Sequence, residues 1–397
     1  MEQYSEYKDS GIQWLGKIPR HWKVCKFPYC SKLLNAPCKL QSSQYEPIGI
    51  FPIVSQEKDL INGYWNNEDD VLHIDNPVII FGDHTKTIKY VDFNFVVGAD
   101  GVRIISPSFD YVQKYYYYSL LSLPLITLGY SRHFKLLKDK YLPLPPLAEQ
   151  RGIVAYLDEK CGKIDKLLEG KQKQIELLAE TKQRVIADTV TRGLNPNVKM
   201  KPTNIPWLPQ IPEHWEVKRS KYILLLQSVS TKRTIKIGLE NIESFSGKYI
   251  KTDTIYDGDG VDFNVGDIVY GKLRPYLCKV WLADFDGNAV GDFFVYRVKE
   301  NMNNMYFAYL MRTSYFTAIS NASTYGTKMP RVSHQFIASL HLPVPPLSEQ
   351  RAIVAHINSR VSKIDTLSAK LRQEIGAIKE YKQRLISDVV TGQMKVC

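Results

Sequence analysis

The phrase LPLPPLAEQ, Leu142–Gln150, returns almost unchanged as LPVPPLSEQ, Leu342–Gln350. A repeat of this kind constrains the fold more than any single motif, because both copies must build the same local unit. The match runs without a gap from Leu142–Leu194 to Leu342–Met394, with about half the positions identical. Glu149-Gln150-Arg151 recurs as Glu349-Gln350-Arg351, Lys163-Ile164-Asp165 as Lys363-Ile364-Asp365, and Lys182-Gln183-Arg184 as Lys382-Gln383-Arg384. A shorter pair lies upstream, WLGKIPRHWKV (Trp14–Val24) and WLPQIPEHWEV (Trp207–Val217). The order is short motif, variable body, long motif, and then the same again. Two units of this size with dissimilar middles do not make a solenoid.

The long motif reads as helix. In its second copy Ile364, Leu371, Ile378 and Leu385 recur every seven residues, with Leu367, Ile375, Tyr381 and Val389 between them. That is the stripe of a coiled coil over about four heptads. The first copy carries Ile164, Leu167, Leu168, Ile175, Leu178, Val185 and Ile186 on the same face, while Lys171 and Gln174 weaken its middle. Gly193 and Gly392 stand where each helix should end. Two matching helices of about 30 residues predict an antiparallel pair, a rod of roughly 45 Å at 1.5 Å per residue. The prolines of LPLPP stop the last strand of each body, and Glu149 then sits in a first helical turn, where the helix dipole favours negative charge.

The bodies read as mixed α/β. Pro77–Phe81, Asn94–Val97 and Val102–Ile105 are expected strands in the first, and Asp267–Tyr270 and Phe293–Val298 in the second. Each body is expected to hold one aromatic-rich helix, starting near Tyr111 and Met305. Aromatics at helical spacing are read as core rather than as a stacking surface for bases.

A chain of 397 residues needs more than one core. Its formal charge of +11 calls for a polyanionic partner, most simply nucleic acid. The six cysteines form no CxxC pair and no zinc spacing with histidine, which fits free thiols in a reducing compartment. The polar, acidic start and the lack of a long apolar run give neither a secretory signal nor a membrane span. A cytoplasmic location is expected.

No catalytic motif emerges. GDIVYGKL (Gly266–Leu273) fits the start of a phosphate-binding loop, but Leu273 stands where Ser or Thr must hold Mg²⁺. Its interior is strand-like, so it reads as a strand ending in a basic turn. The pair Pro145-Pro146 follows Leu144, which offers no polar group to grip an exocyclic amine. Glu216-Val217-Lys218 has no well-placed upstream aspartate for a nuclease. His21 and His214, each between Pro and Trp in the IPxHW phrase, read as packed corner residues.

Together these residues resemble the specificity subunit of type I restriction–modification enzymes. The carriers are KDSGIQWLGKIPRHW (Lys8–Trp22), its partial echo NIPWLPQIPEHW (Asn204–Trp215), the PPLxEQRxIV phrase leading into a long helix, and GDIVYGKLRPYLCKV (Gly266–Val280). They span nearly the whole chain. The first body departs from the pattern, with IIFGDHTKTIKYVDFNFVVGADG (Ile79–Gly101) in place of GKLRPY.

The resemblance implies an α+β fold with a pseudo-twofold internal repeat. Target-recognition domains would occupy residues 1–145 and 196–345. Helical regions 146–195 and 346–397 would form the antiparallel coiled-coil spacer. The chain would bind double-stranded DNA at an asymmetric bipartite site and do no chemistry itself, so no cofactor or metal is expected on it. Two methyltransferase subunits would bring S-adenosylmethionine and methylate adenine N6 on a flipped base. Motor and restriction subunits would use ATP and Mg²⁺. The rivals are an enzyme, opposed by the missing motifs, and a coiled-coil adaptor that binds no DNA, opposed by the basic charge.

Loops mixing basic, aromatic and small residues are the expected DNA contacts, since Arg grips guanine with two hydrogen bonds and Lys neutralises phosphate. In the first body these are Asp83, His84, Thr85 and Lys86, with Tyr130, Ser131, Arg132, His133 and Lys135. In the second they are Lys272, Arg274, Tyr276 and Lys279, with Thr327, Lys328 and Arg331. The expected coiled-coil seam is Ile164, Leu167, Leu178 and Val185 against Ile364, Leu371, Ile378 and Leu385.

Overall fold

A computed structural model describes residues 3–98, 101–108, 110–125, 132–231 and 233–397. The chain divides into two compact units, one of 1–171 with 372–397 and the other of 172–371. Each unit therefore takes one variable body and half of each long helix.

In the first unit the strands are β1 (Lys23–Lys26), β2 (Ser31–Leu34), β3 (Val78–Gly82), β4 (Ile88–Val91) and β5 (Val102–Pro107). Helix α1 (Gln113–Leu121) and strand β6 (Tyr141–Leu144) follow, and then helix α2 (Leu147–Arg192). The main sheet has the order β4-β3-β5-β2, all antiparallel, with Phe81 opposite Ile88 and Ile80 opposite Ile104. Strand β3 is buried along its whole length because both of its faces are covered. A second sheet, of five short strands around Phe95–Gly98, packs against it through Val54, Phe95 and Val97.

The second unit repeats this plan with β7 (Glu216–Arg219), β8 (Leu224–Gln227), β9 (Ile268–Gly271), β10 (Val280–Leu282) and β11 (Phe293–Val298). Helix α3 (Asn304–Met311), strand β12 (His341–Val344) and helix α4 (Leu347–Val390) complete it. Its sheet order is β10-β9-β11-β8, the same as that of the first unit. Strand β6 pairs with β1 and β12 with β7, so each LPxPP phrase closes a two-stranded ribbon before its helix.

The aromatic helices are core. Tyr115, Tyr116, Tyr118, Tyr306, Phe307 and Tyr309 are all buried. In the second body the expected single helix is two, Asn304–Met311 and Ser314–Ala322. The break follows from Thr313, whose side chain accepts from the Phe316 N–H and so starts a new helix.

Both long helices exceed the expected 30 residues, with 46 in α2 and 44 in α4. Their ends are domain core rather than rod. In the first unit Ile153 and Leu157 join Trp22, Leu385 and Val389 in one apolar cluster, and in the second Ile353 and Ile357 join Trp215, Ile186 and Val190.

Within each unit the helix halves run antiparallel, and the repeated triplets hold them together. In the first, Lys382 Nζ lies 2.6 Å from Asp165 and Lys171 Nζ 2.5 Å from Glu374. In the second, Lys182 Nζ lies 2.8 Å from Asp365. The Lys-Ile-Asp of one copy thus meets the Lys-Gln-Arg of the other, twice. Of the expected seam, Leu371 and Leu385 are buried, while Ile164, Leu178, Val185, Ile364 and Ile378 are half-buried. Leu167 is 51% exposed and faces solvent, and its repeat mate Leu367 is 47% exposed.

The repeated phrases meet in the same way in each unit. Glu149 accepts from the Trp22 indole N–H at 2.9 Å and lies 2.6 Å from His21 Nε2. Glu349 accepts from Trp215 at 3.0 Å and lies 2.8 Å from His214 Nε2. Gln150 accepts from the Val112 N–H at 2.7 Å and donates to the Pro145 carbonyl at 2.9 Å. Gln350 does the same with the Asn303 N–H and the Pro345 carbonyl, both at 2.8 Å. The Glu-Gln pair fastens the short motif and the aromatic helix to the start of each long helix.

Candidate nucleic-acid interface

In the first body the β3–β4 turn is short, and Lys86 adopts the left-handed conformation within it. Asp83 at its start is 2% exposed, and its carboxylate accepts from the Phe134 N–H at 2.8 Å. The Asp83 carbonyl takes the His133 N–H at 2.8 Å. The two expected contact stretches, 83–86 and 132–135, therefore form one surface. Thr85 donates to the Gln56 carbonyl at 2.7 Å, bringing in a third loop that sequence reading missed. Arg132, Lys135 and Thr85 are exposed, whereas His133 is buried, His84 is half-buried, and both His133 and Asp83 act as framework. Tyr130 and Ser131 lie outside the described residues.

In the second body the turn between β9 and β10 is longer and carries KLRPYLCK. Arg274 and Cys278 are both left-handed, at φ 50° and 48°, and flank a single 3₁₀ turn. Such geometry costs about 1–2 kcal/mol per non-glycine residue and must be held by its surroundings. The Arg274 N–H donates to the Pro330 carbonyl at 2.7 Å, and the Val332 N–H to the Lys272 carbonyl at 3.1 Å. The loop 324–331 is thereby laid along the turn, and again two expected stretches meet.

Their roles differ. Arg274, Tyr276, Thr327 and Lys328 are exposed. Lys279 donates to the Leu239 and Ile242 carbonyls, both at 2.7 Å, and burial pushes its pKa down. It is a strut rather than a phosphate contact. Arg331 makes a fork to Asp292, with both bonds at 2.9 Å, which holds that carboxyl below its usual range. Lys272 lies over the Phe294 ring, 3.9 Å from Asp292. Asp292, Tyr325 and Met329 were not anticipated, although the Gly291-Asp292 turn before a strand is the kind of signal that marks such a tie.

The turn with DHTK and the turn with KLRPYLCK occupy the same slot, between the edge strand and its neighbour in sheets of identical order. The first body's departure from GKLRPY is thus a change of turn length, not of architecture. Both surfaces offer exposed cations beside polar groups, joined in the second body by the exposed Tyr276, and so can meet phosphates and base edges. Among the described residues no cluster of three or more His, Cys, Asp or Glu side chains could hold a metal ion, and no helix is long and apolar enough to cross a membrane.

Residues 212–377 match the family model described as the type I restriction modification DNA specificity domain. The specificity subunit of the type I enzyme EcoDI from Escherichia coli is 28% identical over 197 residues, which is 47% of this chain and 44% of that protein. The MjaVIII specificity subunit from Methanocaldococcus jannaschii is 26% identical over 284 residues, covering 66% of this chain and 64% of that protein. The matched part thus spans about half to two thirds of these relatives. A chain from a solved structure of a type I R-M system shares the fold at a TM-score of 0.64, with 13% identity, over 95% of this chain and 99% of that one. The second body is therefore a type I DNA specificity domain. Over its matched parts the chain is similar to type I restriction–modification specificity subunits.

Proposed function

We propose that this chain reads DNA for a type I restriction–modification complex and performs no chemistry of its own. The bodies, residues 1–145 and 196–345, each read one half of an asymmetric bipartite site. The helical regions, 146–195 and 346–397, set the spacer and carry two methyltransferase subunits. Those subunits supply S-adenosylmethionine chemistry at adenine N6, and motor and restriction subunits supply ATP- and Mg²⁺-dependent cleavage, in the cytoplasm.

The observation that carries this reading is the pair of loop surfaces. The same two slots of one sheet architecture converge in both bodies, but they hold different residues. Two readers of one design and unlike content give two unlike half-sites rather than a palindrome. The exposed, repeat-equivalent Leu167 and Leu367 support a pair of like partners, one for each unit.

The test is to map methylated adenines in a host that expresses this chain with its methyltransferase. A split motif of two unequal halves is expected, and replacing the body before Leu142 should change one half only. A contiguous or palindromic motif sinks the two-reader reading.

A further inference from the structure

We infer that Asp83 and Asp292 are positioning residues that lock two loops into one reading surface, each setting the specificity of its own half-site. The inference rests on the reading of the chain as a DNA-specificity subunit.

Neither aspartate is placed to touch DNA. Asp83 is buried, and Asp292 sits behind Arg331 with its side chain 22% exposed. Each instead joins the two converging stretches by backbone and carboxylate together. The Asp83 carbonyl takes the His133 N–H, its carboxylate takes the Phe134 N–H, and Arg103 Nη2 lies 3.7 Å away. The Asp292 carbonyl takes the Lys272 N–H at 2.9 Å, and its carboxylate takes the Arg331 fork. Asp83 lies on the turn itself. Asp292 comes from the turn that leads into the neighbouring strand, opposite the first residue of the KLRPYLCK turn, where the first body has Gly101. The two bodies therefore reach one mechanical result from opposite strands, and no alignment of the bodies would pair these residues.

The physical consequence is a coupling of loops. Base readout requires donors held in a fixed frame, and a bidentate contact discriminates between bases only while its frame is rigid. Without the carboxylate, Arg331 loses its fork and the loop carrying Thr327 and Lys328 keeps only its backbone bonds to the turn. The exposed cations that meet phosphates remain. Discrimination should fall while general affinity for DNA survives.

The test uses the full chain expressed with its methyltransferase, with adenine methylation mapped across the host genome. Wild type comes first: if it gives no bipartite motif, the specificity-subunit reading itself fails, whatever the aspartates do. Given that motif, Asp292→Asn should lower the preference for matched over mismatched sites by about tenfold or more in one half-site. Asp83→Asn should relax the other half. Asp267→Asn is the control, because it breaks an equally good fork, Arg297 to Asp267 at 2.9 and 2.8 Å, that joins neither pair of reading loops. It should leave both halves sharp. If Asp292→Asn fails to accumulate, Arg331→Lys keeps the charge, loses the fork and should relax the same half. The inference is overturned if these variants keep both halves sharp. It is also overturned if Asp83 and Asp292 relax the same half, or if Asp267→Asn relaxes specificity equally.

Discussion

Removing Glu349 tests the joint that the repeated phrase builds. Trp215 is fully buried, and its indole N–H has Glu349 as acceptor at 3.0 Å. Glu349→Ala leaves that donor stranded, which costs about 1–3 kcal/mol. The His214 contact adds less than about 1 kcal/mol, because that imidazole is half-exposed and solvent screens it. A loss of about 1–4 kcal/mol is expected in urea unfolding of the full chain. Trp215→Phe removes the donor but keeps a ring in the core. In that background Glu349→Ala should cost about 1–2 kcal/mol less, and a double-mutant cycle reads this coupling directly. Glu149→Ala should match or exceed Glu349→Ala, since Glu149 holds Trp22 in the same way and also accepts from the Tyr4 hydroxyl at 3.2 Å. A coupling below about 0.5 kcal/mol, within the scatter of independent sites, refutes the clamp. So does a neutral Glu149→Ala beside a costly Glu349→Ala, because the repeat would then not have repeated the joint.

Three further outcomes follow from the same geometry. Leu371→Ala should cost about 2–4 kcal/mol in urea unfolding, as a buried seam residue does, whereas half-exposed Leu167→Ala should stay within about 0.5 kcal/mol. Lys328→Ala should weaken DNA binding with little regard to sequence and reduce the slope of log K against log salt by about 0.9, measured by titration at several salt concentrations. Asp292 titrates below the ordinary carboxylate range because Arg331 bonds its ionised form. Its contribution to stability is therefore complete above the unfolded value of about 4 and is lost as pH falls through the lower folded value. The stability gap between wild type and Asp292→Asn should be constant near neutrality and close only in acid, as unfolding at a series of pH values would show.

Much of the architecture was legible because it repeats. Two copies of one phrase fixed the order of bodies and helices, and seven-residue spacing marked Leu371 and Leu385 as seam. Periodicity failed at Leu167, because a stripe shows which face is apolar but not how wide the facing helix is. It failed again at Thr313, where one hydroxyl capping a new helix outweighs an unbroken aromatic run. Glu149 was read through the helix dipole, a weak local effect, although its partners stood in the other repeated phrase. Two phrases that recur together, at offsets of 200 and 193 residues, are natural candidates for mutual contact. The expected contact stretches converge into one surface in each body, since basic and turn-forming residues cluster there. Which members face solvent was not legible. Lys279 and Arg331 look like DNA contacts by composition, yet their charges are held by two carbonyls and by Asp292. A side chain's type states what it can bind, but only the fold states what it has already bound. For this chain the difference separates cations left exposed, such as Arg274 and Lys328, from those already engaged in holding the loops in place, such as Lys279 and Arg331.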